Sequence, residues 1–127
     1  MEKNNKQKIF IDWKQFGIMA DKLADKIKKD VIENKIEYDG VHGIARGGLP
    51  LAILLSHRLD LKLLPEPTYN SLVADDISDS GATLDNCIYK KIACLYTSDW
   101  TISVPDYFIK TKTDKNSWCI FPWEEAC

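Results

Sequence analysis

The chain has 127 residues, with 45% hydrophobic and 28% charged side chains, and a formal charge of −2 from 17 basic and 19 acidic residues. These values fit one globular domain and argue against wholesale disorder, collagen, coiled coil or a general nucleic-acid-binding surface. The longest mostly apolar run, residues 49–55, is too short to cross a bilayer, and the polar start at residues 1–8 precedes no long apolar run, so neither a membrane span nor a secretory signal is expected.

In chain order, residues 1–8 read as a flexible lead. Asp12 then reads as a helix N-cap. Trp13, Phe16, Ala20, Leu23, Ile27 and Val31 follow at three- and four-residue steps, which predicts an amphipathic helix ending near Asn34. Residues 38–44 read as a buried strand, residues 45–48 as a tight loop, and residues 49–59 as a helix with Pro50 in its first turn. Residues 61–64 form a candidate short strand. Residues 65–70 form a connection, because Pro65 and Pro67 exclude a central strand. A strand is expected at residues 71–74, a loop at 75–81, a short helix at 82–89 and a strand at 91–96. Shorter strands are expected at 107–110 and 118–121. Alternating strands and helices predict an α/β domain with a mainly parallel sheet, whose ligands bind beyond the carboxyl ends of the strands. Both unusual loops, 45–48 and 75–81, follow strands and precede helices, so both belong to that edge.

Charge is uneven. Nine lysines against six acids leave residues 1–35 at +3, while eight basic and thirteen acidic residues leave 36–127 at −5. Asp75, Asp76, Asp79 and Asp85 fall within eleven residues that hold no Lys or Arg. Close carboxylates repel, so a cation, a donor-rich ligand or helix capping must offset them. Cys87, Cys94, Cys119 and Cys127 show no metal-ligand spacing and read as packing residues or, for Cys127, a tail thiol.

The segment from position 72 runs Leu72-Val73-Ala74-Asp75-Asp76-Ile77-Ser78-Asp79-Ser80-Gly81-Ala82-Thr83. Small and hydroxyl residues at the start of a helix can point backbone N–H groups and hydroxyls at one phosphate. Asp75 and Asp76 cannot hold that phosphate, but suit sugar hydroxyls or Mg²⁺. Together they describe a site for a phosphorylated sugar. A capped helix with solvated acids is the plainer alternative, and the complete pattern outweighs it.

This segment resembles the phosphoribosyl-diphosphate (PRPP) signature of the type I phosphoribosyltransferases: a hydrophobic strand, two acids, two residues, then Asp-Ser/Thr-Gly-Gly/Ala-Thr. Every defined position matches. One strand–helix unit earlier, Ala45-Arg46-Gly47-Gly48 looks like the family's pyrophosphate loop, in which a cis non-proline peptide would fall between Ala45 and Arg46. Val104-Pro105-Asp106-Tyr107, followed by Trp118-Cys119-Ile120-Phe121-Pro122-Trp123-Glu124, is similar to the C-terminal part of the xanthine–guanine and hypoxanthine–guanine branch. The likeness runs over residues 38–124, with the motifs in the family's order.

The resemblance implies a single Rossmann-like phosphoribosyltransferase domain over residues 1–127, with a mainly parallel sheet flanked by helices and a reduced hood. It implies transfer of the 5-phosphoribosyl group from PRPP to guanine, xanthine or hypoxanthine, with Mg²⁺. Asp79 would take a purine proton. Asp79, Ser80, Gly81, Ala82 and Thr83 would hold the 5-phosphate, and Asp75 and Asp76 the ribose hydroxyls and metal. Ala45, Arg46, Gly47 and Gly48 would hold pyrophosphate. Ile77, Ser98, Trp118, Cys119 and Ile120 would hold the base, with Trp118 stacking and Trp123 packing. The implied partners are PRPP and a purine base or nucleoside monophosphate, with no nucleic acid and no membrane. A cytoplasmic homo-oligomer, dimer or tetramer, is expected.

The chain departs from the family pattern twice. A hydroxyl, Ser98, stands where the purine enzymes carry a base-binding lysine. Only six residues, 65–70, occupy the place of the family's long flexible lid, and Tyr69 is the side chain there expected to reach a ligand. A PRPP or nucleotide sensor without turnover is the alternative that these departures raise.

Overall fold

The computed structural model describes residues 7–78 and 89–124. Its elements run β1 (Gln7–Phe10), α1 (Trp13–Asn34), β2 (Val41–Gly43), α2 (Leu49–Leu59), β3 (Leu72–Ser78), β4 (Lys91–Ser98), β5 (Lys110–Lys112), β6 (Ser117–Ile120) and a 3-10 turn (Pro122–Glu124). The helix expected at 82–89 lies, up to residue 88, outside the described residues.

Asp12 caps α1 as its sequence predicts. Its carboxylate accepts from the Gln15 N–H at 2.7 Å, while the Gln15 side chain accepts from the Asp12 N–H at 2.9 Å. This reciprocal pair satisfies two donors that the first turn leaves without partners. The buried stripe of α1 is Phe16, Met19, Ala20, Leu23, Ala24 and Ile27. It packs beside α2, whose buried side chains are Leu51, Ala52 and Leu55.

The main sheet has the order β2-β3-β4-β5, with every pairing parallel. Residues 61–64 approach a strand only through a bridge between Leu63 and Val41. Side chains alternate across the sheet. Leu72, Ala74, Ala93 and Leu95 join the core under α1 and α2, while Val73, Ile92 and Cys94 pack on the opposite face.

Strand β3 is longer than its sequence suggests. Asp75, Asp76, Ile77 and Ser78, expected in a loop, continue the strand, with Asp75 opposite Cys94, Ile77 opposite Tyr96 and Ser78 opposite Thr97. Polar residues read as a loop, but the long neighbouring strand β4 supplies their backbone partners.

Strands β1 and β6 form a separate two-stranded parallel sheet, the reduced hood. It takes Gln7 and Lys8 from the expected flexible lead. Aromatic rings join it to the body: Phe121 meets Tyr96 at 6.3 Å, Trp123 stacks on Phe121 at 5.2 Å, and Phe16 meets Trp123 edge-on at 5.1 Å. Trp123 is thus a packing residue.

The connection at 65–70 is tied down at the amino ends of the strands. Thr68 Oγ1 donates to Asp39 at 2.8 Å, Asn70 Nδ2 donates to the Glu37 carbonyl at 2.8 Å, and the Asp39 N–H donates to the Asn70 carbonyl at 2.9 Å. Glu37 and Asp39 precede β2, so the exposed Tyr69 sits at the edge opposite the two glycine- and acid-bearing segments. No helix among the described residues is long and apolar enough to cross a membrane.

Candidate functional site

Parallel strands bring four chain segments to one carboxyl edge: residues 45–48 after β2, the end of β3, the end of β4, and the end of β5. The Ala45–Arg46 peptide is cis, as the resemblance implies. The loop closes on itself, with the Gly48 N–H donating to the Ile44 carbonyl at 2.7 Å and the Leu49 N–H to the Arg46 carbonyl at 3.1 Å. Arg46 is exposed.

Both glycines are set by close approach. A Cβ on Gly47 would come within 2.8 Å of the Asp76 carboxyl carbon, and closer still to Oδ2. A Cβ on Gly48 would strike the Ala74 carbonyl oxygen and lie 2.8 Å from that of Ile44. The first glycine thus makes room for a side chain of the site, and the second makes room for the backbone of β3.

Asp75 and Asp76 are fixed at the end of β3 by the chain itself. Asp75 Oδ1 accepts from the Asp76 N–H, and Asp76 Oδ1 from the Ile77 N–H, each at 2.8 Å. Burial pushes the Asp75 carboxyl up to about 8, and the charge of Asp76 pushes the same way. Burial likewise raises Asp76. The same burial raises the Cys94 thiol, which lies beside Asp75, so Cys94 is no ready nucleophile.

Two buried carboxyls side by side call for an electropositive partner or hydroxyl donors. Among the described residues no three His, Cys, Asp or Glu side chains converge. Among the described residues, a metal here would draw its protein ligands from Asp75 and Asp76. A hard cation that binds one or two carboxylates plus phosphates fits that donor set.

From Asp76 a cleft of about 290 Å³ runs toward the hood, lined also by Ile77, Lys112, Lys115, Trp118 and Cys119. Trp118 borders this cleft and is 54% exposed. Three of the expected base residues, Ile77, Trp118 and Cys119, thus meet around one cleft. The lining does not include Ser98 or Ile120. Ser98 is buried at the end of β4, and the Ile120 carbonyl accepts from the Ile11 N–H at 2.9 Å within the hood.

Sequence reasoning missed the cleft's lysines. Lys112 is only 7% exposed and sits opposite Ser98 in the β4–β5 register. A lysine between Thr111 and Thr113 reads as a solvated edge, and only the folded sheet reveals it as buried. Asp79, Ser80, Gly81, Ala82 and Thr83 lie outside the described residues.

The parallel sheet, small hood and carboxyl-edge loops define the type I phosphoribosyltransferase fold. A purine phosphoribosyltransferase from Pyrococcus horikoshii Ot3 matches with a TM-score of 0.76 and 29% identity, over 94% of this chain and 96% of that one. The xanthine-guanine-hypoxanthine phosphoribosyltransferase of Helicobacter pylori matches with a TM-score of 0.75 and 20% identity, over 93% and 94% of the two chains. Transcriptional regulator GfcR of Methanocaldococcus jannaschii is 29% identical over 107 residues, which take in 63% of this chain and 51% of the regulator. The chain spans about half the length of the curated relatives it matches. No protein-family model matches it.

Proposed function

We propose that this chain transfers the 5-phosphoribosyl group of PRPP to guanine, xanthine or hypoxanthine, giving the nucleoside monophosphate and pyrophosphate, as in purine salvage. The observation that carries the reading is the placing of the Asp76 carboxyl against Gly47 at the head of a cleft that ends on Trp118. The acid read as an acceptor for ribose hydroxyls and the aromatic residue read as a platform for a base line one cleft, and the loop read as holding pyrophosphate abuts that acid.

In this reading the C1–oxygen bond to pyrophosphate breaks as C1 bonds to a ring nitrogen of the base. Arg46 and the amides of the 45–48 loop receive the departing negative charge. Asp75 and Asp76 orient the ribose hydroxyls and would hold Mg²⁺, which when bound supplies positive charge to the pyrophosphate oxygens. Asp79 takes the proton that the base gives up. The backbone and hydroxyls of Ser80, Gly81, Ala82 and Thr83 hold the 5-phosphate. Trp118 stacks on the base, beside Ile77 and Cys119.

The test is pyrophosphate release measured with and without a base. Base-dependent release supports transfer. Release at one rate regardless of base would make the protein a PRPP hydrolase and overturn the reading.

A second reading, a PRPP or nucleotide sensor, draws support from the curated relatives named as transcriptional regulators and from the short 65–70 connection. It requires ligand binding without turnover. A cytoplasmic homo-oligomer without nucleic-acid contacts belongs to the enzyme reading, and a partner segment for nucleic acid belongs to the sensor.

A further inference from the structure

We infer that Ser78 is a positioning residue: its hydroxyl holds the loop after β4, and through that loop one end of the cleft, against the strand that carries the paired acids. The inference rests on the reading of this cleft as a site for PRPP and a base. Ser78 ends β3 and is 1% exposed. A buried hydroxyl is costly unless it is hydrogen-bonded, and this one is bonded twice, both times to the loop. It donates to the Ser103 carbonyl at 2.8 Å and meets the Thr101 hydroxyl at 3.1 Å. The Ser103 N–H donates to Thr101 Oγ1 at 3.2 Å, so the three residues close a ring in which every proton finds an acceptor.

The loop has little else to hold it there. Ile102 and Val104 are 69% and 68% exposed, so neither anchors it. Among the described residues, 101–104 make no hydrogen bond outside the loop except those with Ser78. Strand β3, by contrast, is fixed by its backbone, with Ile77 opposite Tyr96 and Ser78 opposite Thr97. One residue before Thr101, the Trp100 ring meets the ammonium groups of Lys112 and Lys115, each 5.5 Å from its centre. Both lysines line the cleft with Asp76, Ile77 and Trp118. Freeing the loop therefore disturbs the Trp100 end of the cleft and leaves the acids in place. A ligand that fills the cleft then binds only the fraction of molecules with the loop docked, whereas one held by the acids and the glycine loop binds as before.

The test compares GMP, which carries a base, with PRPP, which does not. Calorimetry with Mg²⁺ is run on wild type, Ser78→Ala, Thr101→Val and the double variant. Each single variant should bind GMP at least about threefold more weakly and change PRPP affinity by less than about twofold, the scale of one neutral hydrogen bond shifting a docked population. The double variant should lose less than the sum of the two single losses, because both substitutions break one ring. Equal losses for the two ligands make the hydroxyl merely structural and overturn the assignment. Unchanged GMP affinity overturns it too, as do losses that add in the double variant. Thr101→Val alters a half-buried side chain, so its GMP-to-PRPP ratio decides the assignment alone if Ser78→Ala does not fold. A wild type that does not bind both ligands overturns the site reading itself, and the assignment falls with it.

Discussion

A methyl group at position 47 would occupy space now taken by the Asp76 carboxyl. Asp76 must then swing out of the site, since its neighbours are packed. Gly47→Ala should weaken PRPP binding at least about tenfold at a stability cost of about 1–3 kcal/mol, typical of overpacking. Gly48→Ala instead drives a methyl into two backbone carbonyls that cannot rotate away, so it should lower the thermal midpoint more. Denaturation and calorimetry on the two variants check the contrast. The Asp75 carboxyl gives a pH signature. Burial raises its folded value from 3.8 to about 8. A group raised on folding contributes stability below its unfolded value and loses it as pH rises through the folded value. The ligand-free protein should therefore lose thermal stability between about pH 4 and pH 8, and Asp75→Asn should remove most of that loss. Melts at pH 5 and pH 8 on both proteins measure it.

At the scale of elements, a polar cluster holds the end of α1 to the start of β4. Asp30 accepts from Lys91 at 2.8 Å and from the Tyr107 hydroxyl at 2.5 Å, and that hydroxyl meets the Tyr38 hydroxyl at 2.7 Å. Lys91 first, then Tyr107, holds the Asp30 carboxyl down at about 2. The sign is opposite to that of Asp75. The stability from Asp30 is present above its ordinary value of 3.8 and is lost as pH falls toward 2. Tyr107→Phe should cost about 1–3 kcal/mol in urea denaturation at neutral pH, and less at pH 2. None of this cluster is legible in the sequence, because its members are 61 and 77 residues apart. Helix α1 was legible from its spacing and its Asp12 cap, and α2 from Pro50 in its first turn, because these signals are local. The extent of β3 was not, since two acids and a serine lack strand character and pair only because β4 lies alongside. Lys112 was hidden for the same reason: its burial belongs to the sheet rather than to its neighbours in sequence.

At the scale of the whole molecule, the glycine loop and the paired acids gather on one edge because every strand of the main sheet runs the same way, and Trp118 borders the same cleft from the hood. Three motifs in family order were enough to foresee that edge, and the cis Ala45–Arg46 peptide was expected only through the resemblance to the family's pyrophosphate loop. The connection at 65–70 folds back to the opposite edge, so it offers the site no cover from water. Base-independent loss of PRPP at a low background rate is the expected consequence. The likeness to purine phosphoribosyltransferases and to regulators of whose length the chain spans about half makes turnover the central question. It is answered by incubating the protein with PRPP, Mg²⁺ and a mixture of guanine, hypoxanthine and xanthine, and identifying nucleotides by mass. Phosphoribosyl transfer predicts the corresponding monophosphates from wild type and none from Asp79→Asn; no nucleotide from any of the bases, in a protein that binds GMP, would contradict it.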